Sequence, residues 1–420
     1  MSDIRFEGWL HRSGTGGVYQ DSAGNVGIAS TQPQQKLDIG NGGFQVGPTG
    51  IATVTTVNTT NLINATPLSH RNVIINGAAM VAQRGDTTSG ATSGGYATDR
   101  FQAVQNESGT ITISQDSDAP TGSGFRKSHR LTQTTAQGSL AANDLTTFRY
   151  NVEGFDVQRF KKGTSDAQQF TLSFFVKSVD QSSYPVTYIA ELRDPINTRS
   201  CCKSYTVTAS DTWEYKTLTF PADTTGTWAA NNTKALEINW FVAAGSNYTS
   251  GTLSTSWAST VTANRAAGLT ANLSANTANR FFLTGVQLEV GSVATDFEHR
   301  SFGQELALCQ RYYNKVFDME SQSGEKPASL AVYETSSAIT TIFNFPKMRA
   351  VPSLDITNGS NKFMVRSKSV SDSFDTLTLR YGTTTTAEIT QSSGVSGDSG
   401  ASGFLRGADT DVFIAFSAEL

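Results

Sequence analysis

Charge is scarce in these 420 residues: Asp, Glu, Lys and Arg supply 16% of the chain, against roughly a quarter in an average soluble protein. The balance is slightly acidic, with a net charge of −4. A phosphate backbone calls for a clustered basic face, so no nucleic-acid partner is expected. Long apolar runs are also missing. No stretch approaches the roughly 20 residues that cross a bilayer as a helix, and MSDIRFEGWLHRSG carries charges at positions 3, 5 and 7 where a signal peptide would have its apolar centre. No membrane insertion is expected. Cysteine occurs three times, as Cys201, Cys202 and Cys309; neighbours in sequence rarely meet disulfide geometry, and an odd, sparse set points to reduced thiols and synthesis in a cytoplasm. The four histidines, His11, His70, His129 and His299, fall one to a region without ligand spacing, which speaks against zinc. GTGG at 14–17 and GSG at 122–124 lack the context of a phosphate loop, and no G-x-S-x-G elbow occurs.

What the chain has in abundance is Gly, Ser, Thr, Asn and Gln, arranged as short β signals. At this length two or three domains are expected, at roughly 100 to 200 residues each. Residues 1–68 hold the apolar pairs Val26/Ile28, Leu37/Ile39 and Phe44/Val46, each cut off within a few residues by AGN, TQPQQ or NGG. Strands so short cannot enclose a core, so this segment is expected to fold by pairing with copies of itself or with a partner. Residues 69–300 read differently: DRFQAVQ, GTITISQ, QQFTLSFFVKSV, PVTYIAEL, KSYTVTA, EYKTLTFPA, KALEINWFVA and NRFFLTGVQLEV alternate or carry β-branched and aromatic residues. Eight such strands with no long helix between them predict a jelly-roll β-sandwich. A short connecting helix is predicted over 301–313, with Ser301 as N-cap, Gln304 at the capping-box spacing, and Leu306, Cys309, Gln310 and Tyr313 on one stripe. A C-terminal β-rich domain is predicted over 314–420, with SSGVSGDSGASG as a loop. The fold class is therefore all-β.

Several ordered motifs carry a resemblance. NVIINGAAMVAQRG, YATDRFQ, YNVEGFDVQRF, TLSFFVKS, WEYKTLTFP and LTGVQLEVGSVATDFEHRSFGQELALCQRYY together resemble a jelly-roll module of tail fibres and other virion proteins of tailed phages. That module is similar in architecture to carbohydrate-binding modules. GVYQDSAGNVGIASTQPQQKLDIGNG resembles a leader of phage fibres and surface adhesins, departing from it at Ala29 and Gln32. FPKMRAVPSL gives the last 100 residues a looser likeness to fibre tips. The resemblance implies a virion protein: a homotrimeric tail fibre that adheres to a host surface glycan without catalysis, joined to other virion proteins through residues 1–68. A head fibre or capsid decoration would share these features, and a glycan depolymerase would need an acidic cleft.

Candidate chemistry is sparse. Glu153 and Asp156 in EGFD form a close carboxylate pair, and paired carboxylates split glycosidic bonds when held roughly 5 to 9.5 Å apart; a salt-bridged pair is the plainer reading. Asp116 and Asp118 in SQDSDAP could contribute oxygens to a structural Ca²⁺ of the kind jelly-roll modules hold; no other cofactor is expected. Trp213 and Trp240 sit in strand patterns and read as core. Trp228, Tyr248 and Trp257 lie in the polar loops DTTGTWAANNT, GSNYTSG and STSWAS. An aromatic in such a loop either stacks on a sugar ring or folds back as an anchor, and these three are the candidate glycan contacts.

Overall fold

The computed structural model describes residues 70–85, 87–91, 95–368 and 370–420, and the short segments 8–10, 17–20, 22–23, 26–28, 37–39, 44–46 and 52–54. The chain divides into two compact units, Met1–Ala65 and Thr66–Leu420; the boundary expected after residue 68 lies outside the described residues. In the first unit, six strands of three or four residues, from Gly8–Leu10 to Ala52–Val54, pair in sequence order. All pairs are antiparallel except Val26–Ile28 with Leu37–Ile39, which run parallel. Each apolar pair of the leader is one of these strands.

The second unit opens with the expected sandwich. One sheet orders its strands Glu214–Phe220, Phe170–Val179, Arg280–Val290, Ser128–Thr135, Thr110–Asp116 and Thr87–Ala91. The facing sheet orders them Ala258–Ser259, Arg199–Val207, Val186–Asp194, Lys234–Ala244, Leu145–Glu153, Phe101–Asn106 and Gly95–Tyr96. Every pairing is antiparallel, so alternate side chains point inward. Leu236, Ile238, Trp240 and Val242 of one central strand meet Leu172, Phe174 and Val176 of the opposite sheet in a single core. Each such fully buried side chain contributes about 1.5–3 kcal/mol. Trp240 is core, as expected; Trp213 is not, lying half-buried with its indole N–H donating to Asp118 Oδ1 at 2.9 Å. The cysteines are free and buried.

The helix is shorter than its stripe suggested, spanning Phe302–Gln310. Ser301 caps it, its side chain accepting from the Gln304 amide. Tyr313 starts the strand Tyr313–Asp318 instead of ending the helix. That strand joins Phe413–Ser417 and Ser353–Ile356 in a three-stranded sheet. A seven-stranded sheet, ordered Val370–Phe374, Phe363–Ser367, Ser402–Gly407, Lys326–Thr335, Ala338–Asn344, Thr386–Gln391 and Thr378–Gly382, closes a second core with it.

Several of the recognisable motifs converge where sandwich, helix and second core meet. In NVIINGAAM, Asn76 takes a positive φ of 62°, and its side chain bonds Val81 and the Asp99 carbonyl at 2.8–3.0 Å. Gly77 approaches the strand Arg280–Val290 so closely that a Cβ there would stand 2.2 Å from the Val286 oxygen. From YATDRFQ, Arg100 is buried against Glu419, donates to the Asn151 carbonyl at 2.6 Å, and lies 3.5 Å from the centre of the Tyr312 ring. From YNVEGFDVQRF, Glu153 accepts from Arg311 Nε at 2.9 Å and from the Tyr312 hydroxyl at 2.6 Å. Arg349, within FPKMRAVPSL, donates to the carbonyls of Asn232, Ala418 and Glu419 at 2.7–2.8 Å. Together these side chains clamp the two cores.

His129, from the same region, is fully buried, stacked on Phe101 with centroids 3.8 Å apart, and within 2.6 Å of the Thr98 hydroxyl through Nδ1. Burial pushes its pKa down from 6.5 to about 3. A depressed folded-state pKa means that the unfolded chain takes up the proton first, so stability is full above pH 6.5 and is lost as pH falls toward 3. Urea titrations between pH 7 and 5 should show stability falling by up to about 1.4 kcal/mol per pH unit. His129→Asn should flatten that slope; a slope unchanged in the variant would assign it to another group.

Candidate functional site

The residues singled out from sequence are placed apart, and most are structural. Trp228 and Trp257 are buried in the sandwich core, both beside Phe170 with ring centroids 6.1 Å away. The Trp257 indole N–H donates to the Pro221 carbonyl at 2.9 Å. Both rings flank the Lys162 ammonium, at 5.2 and 5.6 Å. That ammonium is itself enclosed by Asp194 Oδ2 at 2.7 Å, Asp223 Oδ2 at 3.1 Å, and the carbonyls of Thr225 and Gly226 at 2.8 and 2.7 Å. The polar loop folds back because it must supply oxygens to a buried cation, and its tryptophan comes with it. The expectation that these two rings stack on a sugar is therefore corrected: they are anchors. Tyr248 lies elsewhere, half-buried over a small cluster of Leu145, Ile189, Cys202, Phe241 and Ala266.

In SQDSDAP, the two carboxylates named as candidate Ca²⁺ ligands are engaged by other side chains of the chain. Asp116 pairs with Arg130, and Asp118 pairs with Lys177 while accepting the Trp213 indole N–H. Each carboxylate thus has a cation of the chain's own. Burial alone would raise the Asp118 pKa, but the hydrogen bonds from Lys177 and Trp213 hold it below the ordinary carboxylate value. Among the described residues no group of three or more His, Cys, Asp or Glu converges as a metal site. In EGFD, Glu153 has both oxygens engaged by Arg311, which overcomes its burial and lowers its pKa, whereas burial and the Glu153 charge raise that of Asp156. Glu153 is a clamp residue.

A cleft of about 650 Å³ opens instead on the outer face of the first sheet. Its floor follows from strand alternation. In FTLSFFVKSV, Leu172, Phe174 and Val176 face the core, so Ser173 and Phe175 must face out. Tyr215 is paired with Phe175, and Thr217 with Ser173, on the neighbouring strand. On the other side the ladder shifts register between Ser173 and Phe175, and Gly285 takes a φ of 62°. A bulge of this kind re-aims side chains; here it makes room for Phe125, whose ring would lie 2.6 Å from a Cβ at Gly285.

The rings form one continuous run. Tyr215 to Phe175 is 4.9 Å between centroids, Phe175 to Phe125 5.7 Å, Phe125 to Phe297 5.0 Å, and Phe297 to His299 4.9 Å. Exposure is lowest in the middle of the run, 7% at Phe125, and rises toward both ends, with Tyr215 at 48% and His299 also exposed. Ser123, Thr217 and Ser292 add hydroxyl-bearing side chains to the lining, and Asp296 adds a carboxylate. The far wall is the loop 292–299, fixed from beneath by two buried side chains of VQLEV. Glu289 accepts from the Thr295 amide at 2.9 Å and its hydroxyl at 2.8 Å, and Gln287 accepts from the Glu298 amide at 2.9 Å. Glu298 in turn accepts from the Asn72 amide at 2.8 Å. A preformed wall spares a ligand the entropy of ordering it.

Tyr215 and Phe175 were missed as site residues, although a signal exists: two adjacent phenylalanines in a strand cannot both enter one core.

No family model matches the chain, and no curated protein matches it. Among solved structures, the enzymatically active domain of tailspike protein 4 of bacteriophage CBA120 is similar at 12% identity and a TM-score of 0.27, over 52% of this chain and 21% of that one. The match thus spans about a fifth of the tailspike domain. A family 11 carbohydrate-binding module from Clostridium thermocellum, in complex with a β-1,3-1,4-mixed-linked tetrasaccharide, is similar at 11% identity and a TM-score of 0.25, over 50% of this chain and 98% of that one. A tandem CBM22-1–CBM22-2 structure from Paenibacillus barcinonensis Xyn10C gives 12% and 0.25, over 79% of this chain and 100% of that one. None of these matches carries a residue or a ligand over to this chain.

If Trp228 and Trp257 are core anchors, replacing either by Ala should cost about 3–5 kcal/mol in urea unfolding, the cost of emptying a buried aromatic site. A loss below about 1 kcal/mol, within the range of ordinary surface changes, would return them to the ligand-contact reading.

Proposed function

We propose that this chain is a non-enzymatic appendage protein of a tailed-phage virion, a trimeric tail fibre that holds a host surface glycan in the cleft beside Tyr215. The observation that carries the glycan reading is the graded run of rings edged by hydroxyls. A pyranose presents apolar C–H faces and equatorial hydroxyls, so it is suited by a flat aromatic floor with hydrogen-bonding groups at the edge. Among the described residues no Lys or Arg lines the cleft, whereas Asp296 does. The favoured sugar is therefore neutral, because an acidic one would meet a carboxylate without a counter-cation. The engagement of Glu153 by Arg311 and Tyr312 supports binding without hydrolysis, since neither oxygen is free to act as base or nucleophile.

A shallow cleft of this kind binds weakly on its own. Three linked copies meeting a repeated surface polymer would gain avidity through effective concentration. Residues 1–68 are the proposed virion attachment, the leader being the part whose strands are too short to build a core.

Tyr215 and Phe297 offer the test. Tyr215→Ala removes the open end of the floor and touches no core residue's packing partner beyond Phe175. Glycan-array binding by the intact protein should fall about tenfold or more, with the melting temperature unchanged. Phe297→Ala should do the same, and Asp296→Asn should improve binding to acidic glycans specifically. Retained binding in both aromatic variants would remove the cleft from the account, and release of new reducing ends from host polysaccharide would overturn the non-enzymatic reading.

A further inference from the structure

The seven-stranded sheet buries one face in the second core and, among the described residues of its unit, leaves the other exposed. On that outer face, register places one row of side chains across six strands. Arg366 pairs with Phe404, Phe404 with Leu330, Ile342 with Glu388, and Glu388 with Tyr381. Because Ala331 pairs with Thr341, Leu330 and Ile342 fall opposite each other. The row therefore reads Arg, Phe, Leu, Ile, Glu, Tyr. Its centre is apolar and open, with Phe404 48%, Leu330 65% and Ile342 59% exposed, and Val332, two residues from Leu330, 43% exposed. Single exposed apolar residues are ordinary, but a contiguous block on central strands marks an interaction surface.

The flanks identify the partner. On one side, Arg366 and Arg406 share Glu325, at 3.4 and 3.6 Å, which leaves one positive charge from two arginines and one glutamate. On the other side, Arg380 lies between Glu334 and Glu388, at 2.8 and 3.2 Å, which leaves one negative charge from one arginine and two glutamates. The face is thus complementary to itself. A second copy set with its positive flank beside the first copy's negative flank covers the apolar row and matches the charges at once. A neutral glycan would use neither charge, and a uniformly charged partner would be repelled by one flank.

We propose that this outer face, centred on Leu330 and Phe404, is where copies of the chain associate. Burying the row explains why its central residues are large and apolar while both edges keep charge: the apolar part supplies affinity, and the opposite flanks set the orientation. The proposal is independent of the glycan cleft, which lies on the sandwich.

Sedimentation velocity on the full chain tests it. The wild type should sediment as an oligomer at micromolar concentration, and Leu330→Glu combined with Phe404→Glu should give the monomer mass, with circular dichroism unchanged because both side chains are exposed in one copy. Should that variant fail to fold, Leu330→Ser with Phe404→Ser makes the same measurement. Reversing one flank, Arg366→Glu with Arg406→Glu, should weaken association at least about tenfold; adding Glu334→Arg and Glu388→Arg should restore it. A monomeric wild type, or a double variant that keeps the wild-type mass, would overturn the proposal; the second result would assign association to other residues, the leader among them. Failure of the charge reversal to weaken association would also count against it.

Discussion

Arg100 is the group on which the second unit depends. Its guanidinium is 2% exposed, and burial of this kind costs several kcal/mol per ion unless charge and hydrogen bonds replace the lost water. Burial, the largest single influence, would lower its pKa; Glu419, Tyr150, Tyr312 and Tyr96 together outweigh it and raise the pKa. The carboxylate of Glu419 comes from beyond the last strand of the second core, the ring of Tyr312 from beyond the helix, and the carbonyl of Asn151 from the sandwich. One cation therefore requires three parts of the chain to be in place together. Arg84 repeats the arrangement beside it, 3.2 Å from Glu419 and 3.6 Å from the centre of the Tyr313 ring. This is why residues 66–420 form a single compact unit despite holding two large separate cores.

The cleft inherits its shape from the same construction. The strap 70–76 is held on one side by the clamp, where the Ile75 amide donates to the Tyr150 hydroxyl oxygen at 2.8 Å. On the other side it meets Glu298 and Arg300, which close the base of the loop 292–299. A wall fixed to a buried strap moves little when a ligand arrives. The aromatic floor, in contrast, is set by one sheet and one bulge at Gly285, independent of the clamp. The scaffold and the recognition surface can therefore be perturbed separately.

Much of the fold was legible because it rests on periodicity. Every strand stretch read from the alternating pattern of residues 101–290 is a strand, and Ser301 caps the helix through the bond its spacing predicted. Function was less legible, for a physical reason. Trp228 and Trp257 sit in polar loops, but composition describes what a loop shows to water and says nothing of a buried Lys162 whose ammonium draws that loop inward. Asp116 and Asp118 are close in sequence, yet their cations, Arg130 and Lys177, come from other strands that local reading does not bring near. The recognisable motifs divide between clamp and cleft: those holding Asn76, Arg100 and Glu153 build the clamp, whereas TLSFFVKS, WEYKTLTFP and VGSVATDFEH supply the floor and wall of the cleft.

Native-state hydrogen exchange, followed by mass spectrometry in the wild type and in Arg100→Ala, tests the central claim most directly. Removing the buried guanidinium, which leaves Glu419 with Arg84 alone, should cost about 3–5 kcal/mol. In the wild type, the amides of Lys234–Ala244 in the sandwich and of Ser402–Gly407 in the second core should open with one common free energy; in Arg100→Ala they should separate, the second core opening first. Two different free energies already present in the wild type, or exchange unchanged by the substitution, would contradict the account.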